Sequence, residues 1–269
     1  MACSGVIDGV DLQQPHAAWN EPAVAHAKRM VERVSAVCLT KPLPTPHYVL
    51  VSYGQNCCHY ALPNVLVSGA AYGFHEVIAF NQKSLDADFL TRNEVLLSAA
   101  RGAGYWSWKP QMVLQTMLRL PLSRDILIFY ADAGLEFHRN ATGLLSRLHA
   151  GPRDVNVFSF DFLERAYTKR EAFVALDADS PEYHGAPTAE AATIVFRNTL
   201  FSQFFVRTWL SLCTDPALVT DGGSKLPYLP DFKVHRHDQS LLSLLVKKFK
   251  LGWDEVGTQN TILHHRNKS

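Results

Sequence analysis

Short unbroken apolar runs alternate along the chain with stretches of helical spacing, and this alternation most limits the folds open to it. His47–Tyr53 (HYVLVSY), His75–Phe80 (HEVIAF), Asp125–Tyr130 (DILIFY), Val155–Phe160 (VNVFSF) and Ala191–Phe196 (AATIVF) have the length and character of buried strands. Residues 57–72, 84–100, 110–120, 200–212 and 238–249 read as helices, with Ser84 placed as an N-cap. Strands alternating with helices predict an α/β layer fold with a mainly parallel sheet. In such sheets ligands sit beyond the carboxyl ends of the strands.

The chain opens differently. Glu21 to Leu39 has helical spacing after Pro22, and Lys41-Pro-Leu-Pro-Thr-Pro46 is a stiff spacer. The expected organisation is a helical arm over residues 1–46 and one main domain over 47–269. A chain of 269 residues is long enough to bury a full core. With 47% hydrophobic and 19% charged residues, disorder is excluded as its main state. A net charge of +1 provides no global basic field, so no nucleic-acid partner is expected.

No stretch approaches the roughly 20 apolar residues of a transmembrane segment. The N-terminus lacks the basic and apolar regions of a secretory signal. The expectation is a soluble, cytoplasmic chain, with a place at the membrane surface left open. Five cysteines at irregular spacing argue against a disulfide framework or a structural zinc site. The phosphate loop G-x-x-x-x-G-K-[ST], the dinucleotide motif G-x-G-x-x-G and the nucleophile elbow G-x-S-x-G are all missing from the sequence.

Four segments carry candidate chemistry. Asp132 follows a predicted buried strand in Tyr130-Ala-Asp-Ala-Gly134, so its carboxylate projects into the expected crevice, as a cation ligand, a ribose acceptor or a turn residue. Arg101-Gly-Ala-Gly-Tyr-Trp-Ser-Trp-Lys-Pro110 mixes glycines for close backbone approach with cations that neutralise phosphate, Arg101 and Lys109. Its tryptophans, Trp106 and Trp108, are either stacking groups or core anchors. Val234-His-Arg-His-Asp-Gln239 opens a helix, where backbone N–H groups favour anions. There His235, His237, Asp238 and Gln239 form a base or acceptor corner, with Asp238 as an ordinary N-cap the alternative. A helix start lowers the pKa of Asp238, if anything, and makes it a weak base. Residues 233–268 hold seven Lys/Arg against three Asp/Glu, a local +4. That tail is either solvated or a flap over a diphosphate. Lys169, in Thr168-Lys-Arg170, adds a weaker phosphate contact.

Taken in order, the segments G-Y-W-x-W-K-P, Tyr130-Ala-Asp-Ala-Gly134, Tyr-Thr-Lys-Arg170, His235-Arg-His-Asp-Gln239 and the closing His264-His-Arg266 are more specific than any one alone. Over roughly residues 47–268 the chain resembles a group of GT-A type glycosyltransferases from bacterial polysaccharide gene clusters and large DNA viruses of algae. The resemblance implies a Rossmann-like single domain with a mixed sheet. It implies transfer of a sugar from a nucleoside-diphosphate donor, UDP-linked, to a glycan or glycoprotein hydroxyl. It places Tyr53, Gly54 and Gln55 at the nucleobase. Arg101, Trp108, Lys109, Asp132, Lys169, His237, Gln239 and Arg266 fall along the rest of the donor, and Asp238 becomes the general base.

Asp132 matches the first aspartate of the Asp-x-Asp pair that holds a divalent cation, manganese, and Gly134 replaces the second. His264 or His265 would then complete the metal site, or cationic side chains would replace it. A metal-dependent phosphoester hydrolase and a catalytically inactive nucleotide- or sugar-binding protein are the alternatives.

Overall fold

The computed structural model describes residues 20–38, 42–55, 58–222, 224–254, 258 and 261–264. His265, Arg266 and the first 19 residues of the arm lie outside them. Five strands form the main sheet: β1 (His47–Tyr53), β2 (Glu76–Phe80), β3 (Ser123–Ala131), β5 (Val155–Leu163) and β6 (Pro187–Asn198). Two short strands, β4 (Leu135–Phe137) and β7 (Ile262–His264), pair apart from it. The sheet order is β2-β1-β3-β6-β5. β1 is parallel to β2 and β3, whereas β6 is antiparallel to both neighbours. Four of the five strands therefore share one direction and β6 alone is reversed, a mixed, mainly parallel sheet as predicted.

Alternation along the central strands explains their unbroken apolar character. Val49, Val51, Ile126, Ile128 and Tyr130 face one core, packed by the helices Trp108–Arg119, Leu200–Cys213 and His237–Lys248. Tyr48, Leu50, Leu127, Phe129 and Ala131 face a second, closed by the helices Leu62–Ala71 and Thr142–Ala150 with Phe137 of β4. A strand covered on both faces has no polar side to alternate with. The helix Glu21–Cys38 joins the first core through Val24 and Val31, and Lys28 Nζ donates to Phe249 O at 3.3 Å. Among the described residues no helix is long and apolar enough to cross a membrane.

The predicted helix at 84–100 divides into a short 3₁₀ turn and the helices Ala87–Arg92 and Glu94–Leu97. Ser84 is not the cap. Asn81 caps the 3₁₀ turn, and Asp86 Oδ1 accepts from Phe89 N at the next start. Asn and Asp bind the first free N–H groups of a helix at least as well as Ser, and they occur here at each break.

One buried cation secures the end of the sheet opposite the ligand side. Arg197 on β6 is 2% exposed and donates to the carbonyls of Arg124, Leu148, His149, Gly151 and Arg153. It collects the last carbonyls of the helix Thr142–Ala150, which have no partner within the helix. Arg197→Met leaves these acceptors dry and is expected to cost about 3–5 kcal/mol. Thermal unfolding monitored by circular dichroism should show a drop of roughly 10 °C. A drop under 2 °C would refute this role.

Candidate functional site

Order β2-β1-β3 means that the chain leaves β1 toward one side and returns on the other. The crevice of an open α/β sheet lies at this reversal, beyond the carboxyl ends of β1 and β3. A cavity of about 700 Å³ opens there, lined by Tyr53, Lys109, Asp132, Ala191 and Asp238 among others.

Lys109 forms its floor. The helix Trp108–Arg119 begins one residue earlier and turns the side chain inward, leaving it 3% exposed. Its Nζ lies 2.7 Å from Asp238 Oδ2 and 3.8 Å from Asp132 Oδ1, and donates to Ala191 O at 3.0 Å. It also sits 4.9 Å from the centre of the Tyr130 ring. Burial works against its charge, but Asp238 and Asp132 outweigh that and raise its pKa. Tyr130 donates a short hydrogen bond to Asp132 Oδ1, while the Asp132 side chain stays 42% exposed.

Asp238 departs from the expectation of a weak base. It is the second residue of the helix His237–Lys248, not its cap, and it is 3% exposed. Burial raises its pKa from 3.8 to about 6; Lys109 opposes the rise and Asp132 adds to it. Desolvation of the carboxylate outweighs the helix dipole here. The two partners shift compatibly, because Lys109 stays charged while Asp238 becomes the more basic carboxylate.

The rim has an unusual backbone. Gly102, Ala103, Gly104, Tyr105 and Trp106 have φ values of 57°, 49°, 99°, 55° and 59°, a left-handed turn across five consecutive residues. Such a conformation costs about 1–2 kcal/mol for each residue other than glycine. Contacts hold it in place. Trp108 Nε1 donates to Gly102 O at 2.9 Å, and Trp106 stacks on His237 at 5.5 Å. Arg101 Nε donates to His237 Nε2 at 2.9 Å and lies 3.0 Å from Asp221 Oδ2. A Cβ at Gly102 would fall 2.4 Å from the Trp106 ring.

His235 and His237 serve as anchors. His235 Nδ1 accepts from Lys169 N, and His237 Nε2 accepts from Arg101. Each ring therefore carries its proton on the other nitrogen, donating to Leu218 O at 2.8 Å and Val219 O at 2.7 Å. Lys169 Nζ donates to the next carbonyl, Thr220 O, at 2.8 Å. Burial lowers the pKa of both histidines, so both rings are neutral.

Of the predicted site residues, Tyr53, Gln55, Arg101, Trp108, Lys109, Asp132, His237, Asp238 and Gln239 all line the cavity. Gly54 and Lys169 do not. Gly54 donates to Phe80 O and packs against Leu62. Lys169 spends its ammonium on a backbone carbonyl. Tyr53 and Trp108 are each 5% exposed, with rings stacked at 3.7 Å, so they face each other more than a ligand. Trp106, half-buried and lining the cavity, is the freer ring. Phe160 carried no signal in the sequence as a lining residue, and Tyr130 and Arg236, which lie within the candidate segments, join it there.

The tail does pass the site. The His264 backbone pairs opposite Leu135 of β4, directly after the Asp132–Gly134 turn. Among the described residues no group of three or more His, Cys, Asp or Glu is placed to hold a metal. The side chain of His264 and all of His265, the expected partners of Asp132, lie outside them.

No family model and no curated protein matches the chain. Among solved structures it is similar to the apo form of mouse xyloside xylosyltransferase 1, at 13% identity and a TM-score of 0.43, covering 77% of this chain and 84% of that one. It is similar to the apo structure of the bifunctional glycosyltransferase WbbM, at 12% and 0.41, covering 77% of this chain and 38% of that one. It is also similar to the apo form of the glycosyltransferase GlyE of Streptococcus pneumoniae TIGR4, at 12% and 0.44, covering 82% and 55%. These are likenesses of general chain path, and the functional reading rests on the site itself.

Two outcomes follow from this geometry. Gly102→Ala should lower the melting temperature by about 5 °C, as a methyl is forced against Trp106; an unchanged melting curve would show that the turn is not strained. The second concerns Asp238. Its pKa is higher folded (about 6) than the ordinary 3.8, so the folded state binds the additional proton between those values. Stability from this group is present at low pH and is lost as pH rises from about 4 to 6. Asp238→Asn should flatten that part of the curve of melting temperature against pH. A wild-type curve rising across this window and unchanged in the variant would contradict the assignment.

Proposed function

We propose that the chain is a glycosyltransferase that moves a sugar from a nucleoside-diphosphate donor, UDP-linked, to a hydroxyl of a glycan. The observation that carries this is the Asp132–Lys109–Asp238 floor at the reversal point of the sheet. With both carboxylates ionised, the three groups sum to one negative charge. That charge favours the positive character that develops at the sugar's anomeric carbon as its bond to phosphate breaks. The diphosphate belongs beside the floor, at the helix start. There the N-terminus of the helix His237–Lys248 offers positive charge, Arg101 stands beside it paired with Asp221, and Gln239 Nε2 is a buried donor without a partner among the described residues.

In the reaction, the bond between the anomeric carbon and the donor's phosphate oxygen breaks, and its electron pair leaves with the nucleoside diphosphate. The acceptor hydroxyl oxygen bonds to that carbon. Its proton passes to Asp238, which is ionised at neutral pH yet more basic than an exposed aspartate. Lys109 fixes the Asp238 carboxylate and keeps it charged.

A divalent cation enters this reading as a companion of the donor. Asp132 would supply one carboxylate oxygen to such a cation when the donor is bound. The cation would supply additional charge neutralisation to the departing diphosphate. Manganese should therefore bind tightly only together with UDP, a difference that electron paramagnetic resonance resolves. Tight manganese binding to the nucleotide-free chain would refute this.

The donor claim is tested by thermal shift. UDP at about 100 times its dissociation constant should add about 2.7 kcal/mol to the stability of the fold. No shift with any nucleoside diphosphate would sink the proposal. Once a donor is found by screening for slow hydrolysis, Asp238→Asn should reduce kcat of transfer by about 10²–10⁴-fold. The kcat/KM of the native chain should rise with pH through about 6 as Asp238 ionises. A profile flat from pH 5 to 8 would remove Asp238 from the role of base.

A further inference from the structure

The cavity does not end at its floor. The carboxyl end of β5 continues outward from it as a row of rings. Phe160 lines the cavity and lies 5.6 Å from Phe162, which lies 5.3 Å from Tyr167. Arg236, also in the cavity lining, sets its guanidinium 4.5 Å from the Tyr167 ring centre and 5.7 Å from that of Phe162. Lys233 lies 5.8 Å from the Tyr167 centre. Phe162 and the adjacent Leu163 are 42% and 39% exposed. Large apolar side chains exposed together beside a polar cavity mark a binding surface.

From this we infer that the Phe160–Phe162–Tyr167 row with Arg236 is the subsite for the acceptor, and that it takes a pyranose ring of a glycan. The inference rests on the proposed glycosyl transfer and names the acceptor's place in it. Two shared residues connect the row to the reaction centre, since Phe160 and Arg236 belong to both. Gln55, an expected donor contact, follows β1, which β3 and β6 separate from β5.

The chemistry of the row matches a sugar. A pyranose has an apolar face of C–H groups and a rim of hydroxyls. The Phe162 ring offers a face to the first, and the Arg236 guanidinium, fixed on Tyr167, offers N–H donors to the second. A purely apolar chain would leave Arg236 and Lys233 desolvated and unpaired. β5 is an edge strand, and exposed Asp161 between the two phenylalanines opposes pairing with a second copy of the edge.

The test uses saturation-transfer NMR of the full chain with methyl glycosides of glucose, galactose, xylose, mannose, N-acetylglucosamine and rhamnose, with UDP present. Binding of UDP is followed separately by tryptophan fluorescence. At least one glycoside is expected to bind. Phe162→Ala should weaken that glycoside by about 5- to 100-fold, the range of one stacked ring. Phe162→Tyr should retain binding within about threefold, and the UDP dissociation constant should stay within about twofold in both variants.

Equal glycoside binding in Phe162→Ala overturns the inference. So does binding of decyl phosphate with no methyl glycoside, or a concentration-dependent dimer that Phe162→Ala dissolves. If UDP fails to bind the native chain, the donor reading falls separately. A glycoside lost on Phe162→Ala would then still establish the row as a carbohydrate site.

Discussion

Four segments distant in sequence meet at one buried ammonium. Lys109 belongs to the helix Trp108–Arg119; Asp132 follows β3, Ala191 lies in β6, and Asp238 opens the helix His237–Lys248. An unpaired charge at that depth would cost several kcal/mol, so each segment has to arrive with its oxygen in place. The same requirement positions the carboxylates for chemistry. A floor of this kind can be built only where a strand end, a helix start and a second helix start converge. In this sheet that happens beyond the end of β3, where β6 runs beside it.

The rim is tied to the floor through two segments of unusual backbone. His237 has a φ of 50°, and the five residues from Gly102 to Trp106 are all left-handed. The two strained segments are stacked on each other, Trp106 and Tyr105 against the His237 ring, and Arg101 closes the contact. Local strain persists when surrounding contacts over-determine it, and it concentrates at functional sites. His235, His237 and Lys169 provide the over-determination by holding three successive carbonyls, Leu218, Val219 and Thr220. Two histidines and a lysine that look like ligand contacts in the sequence are thus the supports of the wall.

How much was legible follows from the range of the interactions concerned. Periodicity located all five strands of the main sheet; the central ones are buried on both faces and so leave a continuous apolar run. β4 and β7, three residues each, escaped it: their pairing joins residues over 120 positions apart and leaves no local pattern. The position of Asp132 at a strand end was enough to place it in the crevice. Lys109 was recognised as a site residue, but its partner was not, since nothing local indicates that Asp238 would be the carboxylate 2.7 Å away. The sign of the Asp238 shift was misjudged for the same reason. A helix start is visible in sequence, whereas the desolvation that overrides it comes from tertiary packing.

Charge placement then separates the two ends of the cavity. The net charge of +1 for the chain says little about the site, since the floor carries two carboxylates to one ammonium while Arg101 and Arg236 stand at its margins. A diphosphate placed on the floor without a cation would face Asp132 and Asp238 and be repelled. Placed toward Arg101 and the helix start, it leaves the floor to the sugar that is moved. At the β5 margin Arg236 is stacked on Tyr167 beside Phe162, an arrangement amphipathic in the way a sugar is. One cavity with a negative floor and an aromatic β5 side therefore offers two different surfaces, the first to the positive charge that develops on a transferred sugar and the second to the apolar face of an acceptor.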